Sequence, residues 1–194
     1  DQLRVLFKDL NGQFILDSIV DPNHRKRTEL LETLDDLASC SPHITTRNKD
    51  GEGLQFVILK DGKDVGIKFR CTPNGHEFSS LVLAILNSDG KGKTLPDENI
   101  ISRIRQLNGP VHLLTYVNLT CLICSEVVQM LNAITIYSDQ IQHEIVDGGI
   151  NKMEVIEKQI MNLPSVYADG ELILIGRACY NEILNKLEAK YGTH

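Results

Sequence analysis

Hydrophobic positions recur along this chain with two periods, and each change of period falls at a turn residue. Residues 1 to 12 place Leu3, Val5, Leu6, Phe7 and Leu10 at helical spacing and stop at Asn11-Gly12. Gln13 to Val20 alternates as a strand until Asp21-Pro22, and Asn23 to Ser39 returns to helical spacing through Leu30, Leu31, Leu34, Leu37 and Ala38. A short strand at His43 to Arg47 and a polar loop at Asn48 to Gly53 follow. Two apolar runs, Phe56 to Leu59 and Val65 to Phe69, flank Asp61-Gly62, which predicts a hairpin. Phe78 to Leu86 predicts a strongly apolar helix, and Asn87 to Thr94, with Gly90 and Gly92, has the composition of a linker.

The plan then recurs. A helix over Asp97 to Leu107 enters through Pro96 and stops at Asn108-Gly109-Pro110. After it the pattern predicts strand 111–117, helix 122–136, strand 141–147, a short helix near 151–160, strand 165–168, a turn at Asp169-Gly170, strand 171–175 and helix 178–190. That order is βαβαββα. Phe56 to Gly62 and Pro164 to Gly170 both lead into Asp-Gly, at a spacing of about 100 residues, so the chain reads as a duplicated domain divided into 1–94 and 95–194.

The chemistry concentrates where the first strand of the second half meets its helix. Val111 to Val117 is apolar and β-branched, Asn118 to Thr120 is a polar turn, and Cys121-Leu122-Ile123-Cys124 opens the helix. At a helix N-terminus the free backbone N–H groups and the helix dipole favour a thiolate at Cys121, the species that attacks disulfides. Cys124 can then reach back and close an intramolecular disulfide. The same two cysteines could be half of a zinc site, but four ligands are needed and no second pair is present: Cys40, Cys71 and Cys179 are single, and His112 and His143 are isolated in strands.

Composition narrows the setting. No apolar run approaches the roughly 20 residues of a membrane span, no signal-peptide pattern opens the chain, and five cysteines at irregular spacing point to a reducing cytoplasm. Asp1 stands where an initiator methionine would, so the chain is read as a processed or excised segment. The net charge of −6 is uneven, since residues 111–194 hold 5 Lys or Arg against 10 Asp or Glu. That disfavours a nucleic-acid partner. No Gly-x-Gly-x-x-Gly follows a strand, so FAD and NAD(P)H are expected on a separate segment or chain.

The βαβαββα order with CxxC at its first junction resembles the thioredoxin and glutaredoxin fold, in which a cis proline at the place of Pro164 lies against the dithiol. Over almost its whole length the chain is similar to the N-terminal domain of the flavoprotein component of alkyl hydroperoxide reductase. The residues that carry this are Gly75 to Leu86, Thr115-Tyr116, Leu119-Thr120-Cys121, Ile145 to Gly149 and Leu163 to Val166. The resemblance implies an α/β fold of two fused thioredoxin-like halves sharing one central mixed sheet flanked by helices, with only the second half redox-active. Asp21-Pro22-Asn23-His24 stands where the first half would carry cysteines, and Leu54 where it would carry the proline. It implies Cys121 as nucleophile and Cys124 as resolver, supported by Pro164, Thr120 and, across the interface of the halves, Glu77. It also implies electrons arriving from a flavoprotein dithiol and leaving to a peroxiredoxin disulfide. The sequence departs from that family between and after the cysteines. Leu122-Ile123 replaces His-Asn and Ser125 replaces proline, so the apolar pair is expected to tune the redox poise and form part of the docking surface. A free-standing protein disulfide oxidoreductase of broad range and a metal-binding or interaction module are the alternatives.

Overall fold

A computed structural model describes residues 1–92 and 95–194. Its order is α1 (Gln2–Phe7), β1 (Phe14–Val20), α2 (Arg27–Ala38), β2 (Ile44–Asp50), β3 (Leu54–Lys60), β4 (Lys63–Arg70), α3 (Glu77–Ser88), then α4 (Glu98–Gln106), β5 (Val111–Val117), α5 (Leu122–Ile136), β6 (Ile141–Asp147), α6 (Lys152–Glu157), β7 (Ser165–Ala168), β8 (Glu171–Ile175) and α7 (Tyr180–Tyr191). The strands form one eight-stranded sheet ordered β2-β1-β3-β4-β6-β5-β7-β8. Each half contributes the same motif, a parallel pair (β1 with β2, β5 with β6) followed by two antiparallel pairings. Both hairpins turn through Asp-Gly with positive φ at both residues, the geometry that matches strand twist. The two thioredoxin-like halves thus share one mixed sheet. They meet where β4 runs parallel to β6, from Ile67 beside His143 to Arg70 beside Val146.

That junction fixes the rest. β4, β6 and β5 run parallel in adjacent positions, so their C-terminal ends lie together at one edge of the sheet. Across the seam the Arg70 guanidinium pairs with Glu154 and donates to Asn151 Oδ1; within the second half the Tyr116 hydroxyl donates to the same Glu154, at Oε2, at 2.7 Å. The largest apolar cluster crosses the seam as well. It runs from Phe7, Phe14 and Leu16 through Ile67, Phe69, Leu81 and Ile85 into Val117, Cys124, Val128 and Ile145 of the second half. A second cluster, including Leu113, Val127, Leu131 and Leu184, belongs to the second half alone. A fully buried Val or Ile contributes roughly 1.5–3 kcal/mol, so Val117, Val128 and Ile145, lent across the seam beside Cys124, bind the halves firmly. Among the described residues no helix is long and apolar enough to cross a membrane.

Four features differ from the sequence pattern. β2 continues to Asp50, where a polar loop was expected, because it pairs in parallel with the whole of β1 at the sheet edge and exposes its side chains. α2 starts at Arg27 rather than Asn23, since the Asp21 carboxylate accepts the Asn23 N–H and diverts the chain into turns. Asn87 and Ser88 belong to α3, with Ser88 Oγ donating to the Ala84 carbonyl at 2.6 Å, so the linker-like stretch begins after them. The division at Thr94 lies outside the described residues. Finally, the first half has only the loop 51–53 where the second has α6.

Candidate active site

Val117 ends β5 at the level of Asp147 on β6. On its other side Tyr116 pairs with Ser165 of β7, which brings Pro164 to the same level. The chain leaves β5 through a tight turn held by Asn118, whose side-chain oxygen accepts the Thr120 N–H at 3.0 Å and the Thr120 hydroxyl at 2.8 Å. Its carbonyl accepts the Cys121 N–H at 3.0 Å. Thr120 is exposed and acts on the turn rather than on sulfur. Cys121 is the N-cap of α5, in extended backbone, and its Sγ accepts the Cys124 N–H at 3.1 Å. The sulfur therefore takes the place a capping oxygen normally holds, where a negative charge is stabilised by backbone donors and the helix dipole.

The two cysteines sit in different surroundings. Cys121 is half-buried and neither cysteine is in a disulfide. Cys124 is wholly buried, and its thiol is pushed up to about 12, first by burial and then by the bond to Cys121, with the charges of Cys121 and Glu77 adding to it. Leu122 is 55% exposed at the mouth and Ile123 half-buried behind it. Ser125 Oγ donates back to the Leu122 carbonyl at 2.8 Å. The Leu163–Pro164 peptide is cis, Pro164 is buried, and its carbonyl accepts the Gly176 N–H at 2.9 Å.

The first half reaches this site from above. The His76 N–H donates to the Leu119 carbonyl at 3.0 Å, which docks the start of α3 on the turn before Cys121. Gly75 makes that approach possible: its φ is +58°, and a Cβ there would lie 2.3 Å from the Leu119 oxygen. Glu77 follows in the first turn of α3, fully buried, with neither carboxylate oxygen hydrogen-bonded. Burial raises its carboxyl to about 7, and the charge of Asp147 adds to the rise. The Ser80 hydroxyl is near enough to offset part of it without reaching hydrogen-bond geometry. Cys71, one residue beyond β4, is also fully buried, and its thiol is held far above the ordinary range by burial and by the charges of Glu77 and Asp147.

The structure thus brings Cys121, Cys124, Leu122, Ile123, Pro164 and Glu77 to one edge of the sheet. Two further neighbours share that edge: Cys71, which the sequence reading set aside as a single cysteine, and Asp147, which it gave no role. For Asp147 the available signal was an Asp-Gly-Gly closing a central strand. Cys40 lies at the end of α2, and Cys179 caps α7 at the surface. Among the described residues no group of three or more His, Cys, Asp or Glu is placed to hold a metal.

No protein-family model matches the chain. Individual proteins do. It is 34% identical over 189 residues to the alkyl hydroperoxide reductase AhpF of Pseudomonas aeruginosa, covering 96% of this chain and 36% of that protein. A protein named NADH dehydrogenase from Ferdinandcohnia aciditolerans is 36% identical over 187 residues, with the same two coverages. The crystal structure of the N-terminal domain of AhpF from Enterococcus faecalis superimposes with a TM-score of 0.87 at 29% identity, covering 96% of each chain. The chain is a homologue of the AhpF N-terminal domain. It spans about a third of the length of these curated relatives.

A dinucleotide needs free backbone donors at a glycine-rich strand-to-helix turn. Here β1 leads to α2 through Asp21, whose own carboxylate takes the Asn23 N–H, and β5 leads to α5 through Cys121, whose sulfur takes the Cys124 N–H.

Proposed function

We propose that this chain is a thiol–disulfide relay that takes two electrons from a flavoprotein dithiol and passes them to the disulfide of a peroxiredoxin. The observation that carries the reading is the unequal pair: Cys121 half-buried at a helix N-cap, Cys124 sealed behind it next to an unpaired carboxyl. Cys121 attacks one sulfur of the partner disulfide as thiolate, forming a mixed disulfide and releasing the first partner thiolate, which takes a proton from solvent. Cys124 then loses its proton and attacks Cys121 Sγ, closing the Cys121–Cys124 disulfide and releasing the second partner thiol. The partner gains two electrons and the dithiol loses two. Cys124 is a poor nucleophile while protonated, and Glu77 is the buried base available to take that proton. The flavoprotein dithiol reduces the disulfide again by the same exchange in reverse, with the flavin and nicotinamide on the remainder of the polypeptide.

The broad-range disulfide oxidoreductase is the weaker reading. Tandem proteins of that kind commonly carry a second pair of cysteines, and here the corresponding turn holds Asp21 to Lys26. The test is trapping. Cys124→Ser, mixed with an oxidised peroxiredoxin, should accumulate a covalent adduct that dithiothreitol releases, while Cys121→Ser should accumulate none. Adduct formation by Cys121→Ser at the wild-type rate would overturn the assignment of roles.

A further inference from the structure

Cys71, Asp147, Val117 and Pro164 lie at one level across the ends of β4, β6, β5 and β7. Arg70 pairs with Val146, Asp147 with Val117, and Tyr116 with Ser165, so Asp147 and Val117 end their strands, Cys71 follows the end of β4 and Pro164 precedes the start of β7. Asp147 is only 8% exposed. One carboxylate oxygen accepts the Gly149 N–H at 2.8 Å, while the Gly148 N–H donates to the Val117 carbonyl at 3.0 Å, which locks the carboxylate beside the turn that carries Cys121. Among the described residues, two buried polar groups nearby have no partner: Glu77, through both oxygens, and the Thr72 hydroxyl next to Cys71.

We propose that Asp147 is a positioning residue for the resolving step, its negative charge setting the pH at which Glu77 becomes free to take the Cys124 proton. This rests on the relay reading above. The groups facing Glu77 are Cys71 just after β4, Asp147 from β6, Cys124 from α5, and Ser80 on its own helix. Arg25 and Lys26, on the segment before α2, face Asp147 and keep it more ionised than its burial alone would allow, and Glu29 in turn holds Lys26. A negative Asp147 holds the proton on Glu77 by repulsion between like charges. The charge of Asp147 acts on Glu77, and the charge of Glu77 acts on Cys124, which gives the influence a route to the resolving thiol.

A structural role and an electrostatic one separate cleanly at this residue. Asn keeps the oxygen that accepts the Gly149 N–H and removes the charge. The measurement uses the reduced protein carrying Cys40→Ser and Cys179→Ser, mixed with 5,5′-dithiobis(2-nitrobenzoate). The first equivalent of thionitrobenzoate reports attack by Cys121, and the second reports resolution by Cys124. A missing second equivalent would defeat the relay reading itself, independently of Asp147. With both present, Asp147→Asn should move the rise of the second phase with pH downward by about half a unit or more, making resolution near pH 6 about threefold faster, while leaving the first phase unchanged. In a Glu77→Gln background the same substitution should change nothing. An unshifted second phase in Asp147→Asn, or an equal shift with Glu77→Gln present, would overturn the proposal.

Discussion

At the scale of single residues, Glu77 is the most unusual group in the molecule, because a carboxyl buried without a partner is costly when charged. Its proton is held to about pH 7 in the folded chain, against about 4.3 for an ordinary Glu. Between those values the folded state keeps a proton that the unfolded state has lost, so stability falls as pH rises from about 4.3 to about 7 and is level above. The loss integrates to roughly 3 kcal/mol. Glu77→Gln should remove that slope. In urea titrations of the reduced protein, the variant should gain roughly 3 kcal/mol on wild type between pH 4.5 and pH 8. Parallel stability profiles for the two would show that Glu77 is ionised throughout. None of this burial was legible from residue type, since a Glu ahead of Phe78 reads equally as a first-turn acid facing the helix dipole. The two cysteines were legible, because strand, turn, CxxC and helix is a pattern with few other uses. Asp147 was not, because an aspartate followed by two glycines reads as a turn, and only the register of three parallel strands puts it beside the dithiol.

At the scale of elements, the start of α3 acts as a clasp between the halves, and Gly75 is its tightest point. Gly90, at the other end of the same helix, shares the positive φ, but among the described residues nothing lies within 4 Å of where a Cβ would stand. Both alanine variants carry the backbone strain of about 1–2 kcal/mol; Gly75→Ala must also push Leu119 and the turn before Cys121. Gly75→Ala should therefore cost at least about 1 kcal/mol more than Gly90→Ala in chemical denaturation, and only Gly75→Ala should slow disulfide exchange. Equal losses in the pair would mean that the turn yields freely. The elements themselves followed from pattern wherever apolar runs met turn residues, as in β5, β6 and both hairpins, whose apolar runs and Asp-Gly turns specify them locally. β2 did not, because six of its seven residues are exposed and its strand character comes wholly from hydrogen bonds to β1. The start of α2 was missed for a related reason: a local side-chain bond from Asp21 outcompetes a helix whose apolar stripe begins only at Leu30.

At the scale of the whole molecule, a half without cysteines at its junction still helps to build the candidate active site. It supplies Glu77, Cys71, Thr72 and the apolar surroundings of Cys124, and it receives Val117, Cys124, Val128 and Ile145 into its own core. Neither half can open without uncovering that shared cluster, so the chain should unfold as one cooperative unit rather than two. The distribution of aromatic residues makes this measurable without labels. All five tyrosines (Tyr116, Tyr137, Tyr167, Tyr180, Tyr191) lie in the second half, all five phenylalanines lie in the first, and there is no tryptophan. Tyrosine fluorescence therefore follows the second half alone, while far-ultraviolet circular dichroism follows helices and strands of both. Under reducing conditions the two probes should give coincident urea midpoints and slopes, and reaction of the buried Cys71 thiol should appear in the same transition. Coupling of this strength also means that core damage in the first half should reach the dithiol. Leu81→Ala, in α3, should lower the common midpoint by the roughly 2–5 kcal/mol typical of a buried leucine and move both probes together. If tyrosine fluorescence kept its wild-type midpoint while the circular dichroism transition split, the halves would be independent domains and the seam between β4 and β6 would be a contact rather than a shared core.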